Sequence, residues 1–249
     1  MQEALRSIDP LGNGLEFGPL DKPLVSKQAF AVKYADHLPV ERLRKKYLNN
    51  DFVDLTSIHE LDYVTNGKPL TETITEERFT YIVASHVIEH VPDFICFIRG
   101  CLELLRPGGV LSLVAPDKRY SFDVQRRLTT FGDLYAAFIE NRRRPTIRDI
   151  CDHYFEVVKA SPPELWRGKD PSTFEKYHTL DEAFRVASEA IKQSWKFDCH
   201  VWVFTYDTFA TLLQECQARR LLSFDIIHSS KPRMDELDFF FSLRKPHIH

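Results

Sequence analysis

Apolar positions are most regular in residues 79–116, where two apolar runs enclose a segment of helical spacing. The runs at 79–84 and 110–115 are short and nearly continuous, which is typical of strands buried on both faces of a parallel sheet. Parallel neighbours need a crossover connection, and here the connection carries apolar residues three or four positions apart. The pattern therefore predicts a right-handed strand–helix–strand unit.

The helix of this unit has recognisable ends. Pro92 and Asp93 suit its start, because proline at the first helical position gives up an N–H that would be unpaired anyway. Ile98 and Leu102 belong to its apolar stripe. The sequence Arg-Pro-Gly-Gly at 106–109 predicts its end.

Polar residues follow both predicted strands. Ligands of parallel α/β sheets bind at the carboxyl ends of the strands, so these residues are candidates for a functional site. They are Ser85, His86, Glu89 and His90 after the first strand, and Asp117, Lys118 and Arg119 after the second.

Two sequences in this region, ASHVIEHVPD at 84–93 and LLRPGGVLSLVAPD at 104–117, resemble class I S-adenosylmethionine-dependent methyltransferases. They are similar to the fourth strand, helix and fifth strand of that family. The resemblance extends over about 12–120 and 199–245, and it implies a closing antiparallel pair of strands at 221–228 and 238–243. It implies an α/β, Rossmann-like fold with a mostly parallel seven-stranded sheet, helices on both faces, and S-adenosylmethionine as cofactor.

The domain organisation follows from the same resemblance. We expect one methyltransferase domain over residues 1–249, with its core at about 12–120 and 199–245. A minimal core needs one helix between the fifth strand and residue 199, so a helical insertion is expected at about 120–198. Its pattern predicts a break at Pro162 and a helix at 181–195. Insertions at strand carboxyl ends commonly shape substrate choice, and we expect a lid over the acceptor.

The resemblance also assigns residues to the cofactor. The sequence LEFGP at 15–19 takes the place of the first strand and its Gly loop. VKYAD ends in Asp36, where the family binds the ribose hydroxyls, and Asp62 is expected after a third short strand, beside the adenine. The expected cofactor-binding residues are Glu16, Gly18, Pro19, Asp36, His37, Asp62, Tyr63, Ser85 and His86.

The loop after the first strand departs from the family pattern GxGxG. It keeps Gly18 but contains Pro19 and Pro23. Either the fold has lost its cofactor, or proline pre-sets a loop that glycine elsewhere permits. We favour the second interpretation because Asp36 and Asp62 keep their register, although Asp can also serve as a helix cap or a turn residue.

A narrower resemblance concerns the acceptor. The loop, together with DKRYSFD at 117–123 and HVWVFT at 200–205, is similar to methyltransferases found beside or fused to glycosyltransferases in bacterial surface-polysaccharide gene sets. This implies O-methylation of a sugar or glycan hydroxyl, or of another small-molecule acceptor, and a possible partner glycosyltransferase. Rival hypotheses are a non-catalytic accessory module and a metal-dependent RNA 2′-O-methyltransferase.

A sugar hydroxyl is a weak nucleophile, so its methylation benefits from a general base. The candidates for this base are His86, Asp117, His153 and His200. Flat faces for a sugar ring could come from Trp166, Trp195, Trp202, Tyr154 and Tyr177, although most aromatic residues of the chain must belong to the core. The residues expected to contact the acceptor are Lys118, Arg119, Tyr120 and Trp202.

The polar residues that follow the predicted strand at 79–84 could instead bind a metal ion. If a helix begins near Ser85, then His86, Glu89 and His90 lie on one face. This face resembles the metal-binding positions of quinone-biosynthesis O-methyltransferases and small-RNA 2′-O-methyltransferases, which have Glu where this chain has His86. That difference lowers the negative charge and disfavours Mg²⁺. The sequence EHVPD also recurs without a metal, and we expect none.

Composition narrows the function classes. The chain has 249 residues, 43% hydrophobic and 28% charged, as is ordinary for a globular enzyme. A net charge of −3 argues against a nucleic-acid partner. We expect no transmembrane segment, since no apolar run approaches the roughly 20 residues needed. Five cysteines without a CxxC pair favour free thiols and a cytoplasmic location.

Overall fold

A computed structural model describes residues 2–9, 11–48, 50, 52–193 and 197–247. The strands are β1 (Gly14–Phe17), β2 (Val32–Asp36), β3 (Tyr63–Val64), β4 (Phe79–Ser85), β5 (Leu105–Pro116), β6 (Asp225–Ser230) and β7 (Asp238–Arg244). The α-helices in the described ranges are α1 (Gln2–Leu5), α2 (Val40–Lys46), α3 (Leu70–Thr73), α4 (Phe94–Leu104), α5 (Phe131–Ile139), α6 (Ile147–Glu156), α7 (Pro162–Trp166), α8 (Leu180–Gln193) and α9 (Tyr206–Ala218).

These strands form one seven-stranded sheet in the order β3-β2-β1-β4-β5-β7-β6. The pairs β2–β3, β1–β2, β1–β4 and β4–β5 are parallel, whereas β7 is antiparallel to both β5 and β6. The predicted Rossmann-like α/β fold is therefore confirmed. Its carboxyl edge, where β1, β2, β4 and β5 all end, carries the candidate site.

The centre of the sheet is the most deeply buried part of the molecule. Ile82 of β4 and Leu111 of β5 are fully buried, as the continuous apolar runs predict. The amphipathic helix α4 packs Phe94 and Ile98 into the same core. The polar residues that follow β4 and β5 are therefore attached directly to strands packed in the core.

The start of α4 differs from the predicted one. Asp93 is the N-cap rather than a helical residue, and its side chain accepts a hydrogen bond from the Cys96 N–H at 2.9 Å. Pro92 precedes the cap, so it is not at the first helical position. The Arg-Pro-Gly-Gly sequence lies within β5, where Gly108 adopts a φ of +78°.

The segment at 120–198 contributes the helices α5 to α8 in its described part. Thr130 and Thr146 begin α5 and α6 with reciprocal capping boxes. Pro162 starts a helix where the sequence predicts a break, because proline is well accommodated in the first turn. The predicted helix at 181–195 is α8 up to its last described residue, and Trp195 lies outside the described residues.

After α8 the chain returns across the carboxyl edge of the sheet. The N–H groups of Val201 and Trp202 both donate to the Glu89 carbonyl, at 2.8 and 3.1 Å. Phe204 then forms a parallel bridge with Asp117 at the end of β5. This crossing brings residues 200–204 against the polar residues that follow β4.

None of the helices in the described ranges has the length and hydropathy needed to cross a membrane.

Candidate functional site

Three adjacent strands present the residues expected to hold the cofactor. Gly18 follows β1 with a φ of +66°, in the left-handed region that favours glycine. Its N–H donates to the Ala35 carbonyl at 2.9 Å, which ties the turn to β2. Asp36 ends β2 with only 6% of its surface exposed, and Ser85 ends β4. Gly18, Asp36 and Ser85 therefore lie along one edge of the sheet.

Glu16 contacts the protein backbone, whereas the sequence predicts that it binds the cofactor. It is buried within β1, and its carboxylate accepts hydrogen bonds from the N–H groups of Leu24 and Val25 at 2.7 and 2.8 Å. Burial raises the pKa of Glu16 to about 7, against the effect of these two bonds. Because both oxygens are engaged in the protein, Glu16 anchors the far end of the loop that begins with Gly18 and the buried Pro19.

Asp36 and His37 form a pair at the end of β2. Oδ1 of Asp36 accepts a hydrogen bond from the His37 N–H and lies 2.6 Å from Nδ1 of the same residue. The imidazole of His37 is about half exposed. The pair thus places a buried carboxylate and an accessible ring at the edge where the ribose is expected.

The predicted position of Asp62 is wrong. Asp62 precedes β3, because the strand consists of Tyr63 and Val64. Its carboxylate accepts from the Tyr34 N–H at 2.7 Å and pairs with Lys27, so it stabilises the amino-terminal side of β3. The hydroxyl of Tyr63 donates to Glu77, which also draws it away from the carboxyl edge.

The residues after β4 form a turn, so the condition for placing His86, Glu89 and His90 on one helix face, a helix that begins near Ser85, is not met. His86 has a φ of +53°, which is uncommon for a residue with a side chain. Glu89 is fully buried and His90 half-buried within this turn. Although the helical premise is wrong, the turn still brings His86 Nδ1 to 3.2 Å from Oε1 of Glu89.

Glu89 and His90 meet a third residue that the sequence places more than a hundred positions away. One potential ligand atom from each of Glu89, His90 and His200 lies within 4.8 Å of the others. The rings of His90 and His200 are 4.7 Å apart and nearly perpendicular. These three residues are called the Glu89–His90–His200 cluster below.

Buried charges hold His200 in place. Its Nδ1 lies 2.5 Å from Oδ2 of Asp123, and Nη1 of Arg126 donates to the other oxygen of that carboxylate at 2.8 Å. All three residues are less than 9% exposed. Burial alone would raise the pKa of Asp123, but His200 and Arg126 hold it well below its usual range.

Two further carboxylates face the remaining imidazoles. Asp238 lies 3.1 Å from Nε2 of His86, and Asp198 lies 3.0 Å from Nδ1 of His90. Burial would lower the pKa of both imidazoles, but the neighbouring carboxylates raise it. Asp198 also pairs with Lys46 of α2 at 3.0 Å.

A cavity of about 180 Å³ opens in front of this cluster. Tyr120 and Phe122 form an aromatic part of its wall, and Tyr120 stacks on Trp166 with 3.9 Å between parallel ring centroids. The residues lining the cavity are His86, Glu89, His90, Pro116, Tyr120, Ser121, Phe122, Ala160, Pro162, His200 and Leu237.

Two predicted roles are corrected by these surroundings. Asp117 is fully buried, and its carboxylate accepts from Arg119 and from the Tyr206 N–H, so it has a structural role and is not placed to act as a base. Trp202 is 2% exposed and donates from Nε1 to the Val91 carbonyl at 2.7 Å. It packs in the core and does not line the cavity.

The other predicted residues lie around the cavity. His153 is behind His200, since its Nδ1 accepts the His200 N–H at 3.3 Å. Burial, together with His200 and Arg126, lowers the pKa of His153 well below its usual value. Burial also lowers the pKa of Lys118, which is half-buried next to Tyr120.

Asp123, Arg126 and Asp198 are functional candidates that the sequence analysis missed. Asp123 lies inside the DKRYSFD sequence, whose resemblance implies no role for it. Asp198 precedes Cys199 and His200 directly. The sequence shows an aspartate close to His200, but only the folded structure shows which histidine each of these charged residues contacts.

The sequence of residues 2–219 matches the family model described as "Methyltransferase domain". Ubiquinone biosynthesis O-methyltransferase from Rattus norvegicus is 43% identical over 51 residues, which are 20% of this chain and 15% of that enzyme. The human enzyme is 43% identical over 44 residues, 18% of this chain and 12% of the relative. The matched segment is thus a small part of these curated relatives.

Solved structures with a similar arrangement include a S-adenosylmethionine-dependent methyltransferase from Methanosarcina mazei. It has a TM-score of 0.47 and 14% identity, over 98% of this chain and 96% of that one. N-methyltransferase NodS from Bradyrhizobium japonicum WM9 in complex with S-adenosylhomocysteine has a TM-score of 0.43 and 13% identity. That match covers 99% of this chain and 83% of NodS.

Proposed function

We propose that this chain, which belongs to the family of methyltransferase domains and uses S-adenosylmethionine, transfers the methyl group to a hydroxyl of a sugar or glycan. The observation that carries the proposal is the Glu89–His90–His200 cluster at the wall of the cavity. An alcohol must lose its proton during methyl transfer, and a cluster of imidazole and carboxylate groups suits that task.

The residues at the carboxyl edge fit the cofactor. A Cβ built on Gly18 would meet Cγ2 of Val87 at 3.0 Å, so only glycine leaves this backbone open to close approach. Both contacts of Asp36 with His37 use Oδ1, and the carboxylate as a whole remains at the end of β2. We assign Asp36 to the ribose hydroxyls, and Gly18 with Ser85 to the methionine portion.

The cofactor, when bound, supplies an electrophilic methyl group attached to a positively charged sulfur. This methyl group would pass to the acceptor oxygen, with the sulfur as leaving group, and the Glu89–His90–His200 cluster would take the proton of the hydroxyl. Asp123 fixes the ring of His200 through Nδ1, so Nε2 is the nitrogen available to the acceptor. Proximity and alignment can supply much of the rate.

The cavity supports a small, flat, polar acceptor. Its volume of about 180 Å³ is below the roughly 300–1,000 Å³ typical of sites for drug-sized ligands, and it suits a single sugar unit. Tyr120, braced by Trp166, offers an aromatic wall of the kind that packs against a sugar ring. Oxygen as the acceptor atom is also supported by the short match to the two ubiquinone biosynthesis O-methyltransferases.

The biological setting that we propose is the synthesis of surface polysaccharide, with a glycosyltransferase as possible partner. It rests on the resemblance of residues 117–123 and 200–205 to methyltransferases of that setting. The first of these segments contains Tyr120 and Asp123, and the second begins with His200. The two resembling segments therefore meet at the cavity.

A screen with paired acceptors tests the proposal. The purified chain is incubated with S-adenosylmethionine carrying a labelled methyl group, and with nucleotide sugars that bear either a hydroxyl or an amine at the same carbon. We expect labelled methyl ethers on one or more hydroxyl sugars. Transfer to amines alone, or no transfer although S-adenosylhomocysteine binds, would contradict the choice of acceptor.

A further inference from the structure

Glu89 is a buried carboxylate that lies beside imidazoles and is left without a hydrogen bond among the described residues. The residue is fully buried, yet neither of its carboxylate oxygens has a hydrogen-bond partner among the described residues. Nδ1 of His86 approaches Oε1 to 3.2 Å but outside hydrogen-bonding geometry. A buried carboxylate without hydrogen bonds is costly, and such groups are usually paired or bound to a metal.

One imidazole of the cluster is oriented in the way that metal ligands usually are. Nδ1 of His200 faces Asp123, whereas Nδ1 of His90 lies 3.0 Å from Asp198 but outside hydrogen-bonding geometry. A carboxylate on one ring nitrogen fixes the tautomer and leaves the other nitrogen as the ligand. Nε2 of His200 is therefore the nitrogen left for coordination, and Nδ1 of His90 is a buried ring nitrogen without a hydrogen-bond partner among the described residues.

The charges around the cluster also leave room for a cation. The imidazoles of His86, His90 and His200 lie beside four carboxylates, those of Glu89, Asp123, Asp198 and Asp238. In the described part of the chain, the lysine and arginine side chains that pair with these carboxylates are Lys46, with Asp198, and Arg126, with Asp123. Asp198 and Asp238 are partly exposed and are screened by water, and Asp123 pairs with Arg126, whereas Glu89 is fully buried. Either protonated imidazoles or a bound ion would supply positive charge beside Glu89, and titration with a metal distinguishes these two states.

We propose that Glu89, His90 and His200 bind one divalent cation of the first transition row, of which Zn²⁺ is the probe. Two nitrogens and one carboxylate oxygen suit these ions, whereas Mg²⁺ and Ca²⁺ prefer oxygen ligands throughout. This reverses the expectation from the sequence, because that expectation considered His86 as the third ligand and had no means of placing His200 beside Glu89.

Three protein ligands leave further positions on such an ion for another molecule. All three residues line the cavity, so these positions face the space assigned to the acceptor. This part of the inference rests on the proposed function. With the ion bound, Nε2 of His200 would be one of its ligands and would no longer take the proton of the acceptor directly. A sugar hydroxyl on the ion would lose its proton more readily, and that proton would leave to water in the cavity.

Calorimetric titration tests the site directly. The full-length chain, stripped with a chelator, is titrated with ZnCl₂ and separately with MgCl₂. We expect one Zn²⁺ per chain and much weaker binding of Mg²⁺. Glu89→Gln should weaken Zn²⁺ binding at least 100-fold. The matched control Glu103→Gln alters an exposed glutamate on α4 and should bind Zn²⁺ as the wild type does.

A second ligand variant covers the case in which Glu89→Gln does not fold. His90 is about one-third exposed, so His90→Gln is tolerated more easily and should also lose Zn²⁺. If the wild type binds no Zn²⁺, or if either folded ligand variant binds it as tightly as the wild type, the site does not exist.

Methyl transfer is measured separately from metal binding. Zn²⁺ held by Glu89 without methylation of any sugar would overturn the proposed acceptor and leave the metal site standing. Sugar methylation by a chain that binds no Zn²⁺ would overturn the metal site and leave the acceptor standing. The two proposals therefore fail independently.

Discussion

Nδ1 of His200 lies 2.5 Å from Oδ2 of Asp123, a residue 77 positions earlier in the chain. This contact joins the start of the inserted segment to the strand-like stretch that follows it. Because both residues are buried, this contact sets the orientation of the His200 ring and therefore the position of its Nε2. The site therefore depends on a contact between two ends of the insertion as well as on the sheet.

Replacing Asp123 should separate positioning from binding. Asp123→Asn removes the charge but keeps an oxygen for Arg126, and we expect methyl transfer to fall about 10- to 100-fold because His200 loses its orientation. Affinity for S-adenosylhomocysteine should stay the same. Single-turnover transfer and calorimetry measure the two quantities. The control Asp152→Asn changes a partly exposed carboxylate on α6, and equal losses in both variants would refute the role of Asp123.

Asp36 should determine affinity for the cofactor. Asp36→Ala removes a carboxylate expected to bind two ribose hydroxyls, each such charged hydrogen bond contributing about 1.5–3 kcal/mol. We expect the dissociation constant for S-adenosylhomocysteine to rise at least 30-fold. Glu41→Gln, at an exposed position in the first turn of α2, is the control and should bind normally. Unchanged binding in Asp36→Ala would remove Asp36 from the site.

Gly18 and Gly67 form a matched pair for testing the loop. Both have positive φ, but a Cβ on Gly18 meets Val87 at 3.0 Å, whereas none of the described atoms lies within 4 Å of one on Gly67. Alanine at either position should lower the free energy of unfolding by about 1–2 kcal/mol from backbone strain. Only Gly18→Ala should also weaken S-adenosylhomocysteine binding, measured by calorimetry. Equal affinities in the two variants would show that the cofactor does not approach Gly18.

Glu16 should make stability depend on pH. Burial raises its pKa from 4.5 to about 7, so the folded state holds a proton that the unfolded chain releases. Its contribution to stability is full below pH 4.5 and is lost as the pH rises through 7. At roughly 1.4 kcal/mol per pH unit, the free energy of unfolding of the wild type should fall relative to Glu16→Gln by about 2–4 kcal/mol between pH 4.5 and 8.

Urea denaturation of both proteins at several pH values measures this difference. A constant difference across the range would mean that Glu16 titrates alike in the folded and unfolded chains. The comparison with Glu16→Gln cancels the contributions of the other titratable groups, provided that they are not coupled to Glu16.

Much of the fold follows from local pattern. The apolar run at 79–84 is β4 with one residue added, and the predicted strand at 238–243 is β7 with one residue added. The strand predicted at 221–228 is shifted, because Leu222 packs into the core from the preceding loop while β6 itself is largely exposed. Periodicity detects buried positions, and an exposed edge strand lacks that signal.

The site was predictable only in part. Glu89 and His90 follow a strand and are visible in the sequence for that reason. Their relation to His200 depends on how a long insertion returns to the sheet, which no local pattern encodes. Asp117 and Trp202 are misassigned for the converse reason, because residues at the edge of a site are also used to hold its backbone in place.

Single-turnover methyl transfer by the wild type and by His200→Ala tests the central claim most directly. Labelled S-adenosylmethionine is mixed with excess enzyme and the sugar acceptor found by the screen, and the product is identified by mass spectrometry. We predict a sugar methyl ether from the wild type, and a rate at least 100-fold lower for the variant, with unchanged affinity for S-adenosylhomocysteine. Methylation of nitrogen or carbon, or transfer by His200→Ala at the wild-type rate, would contradict this account.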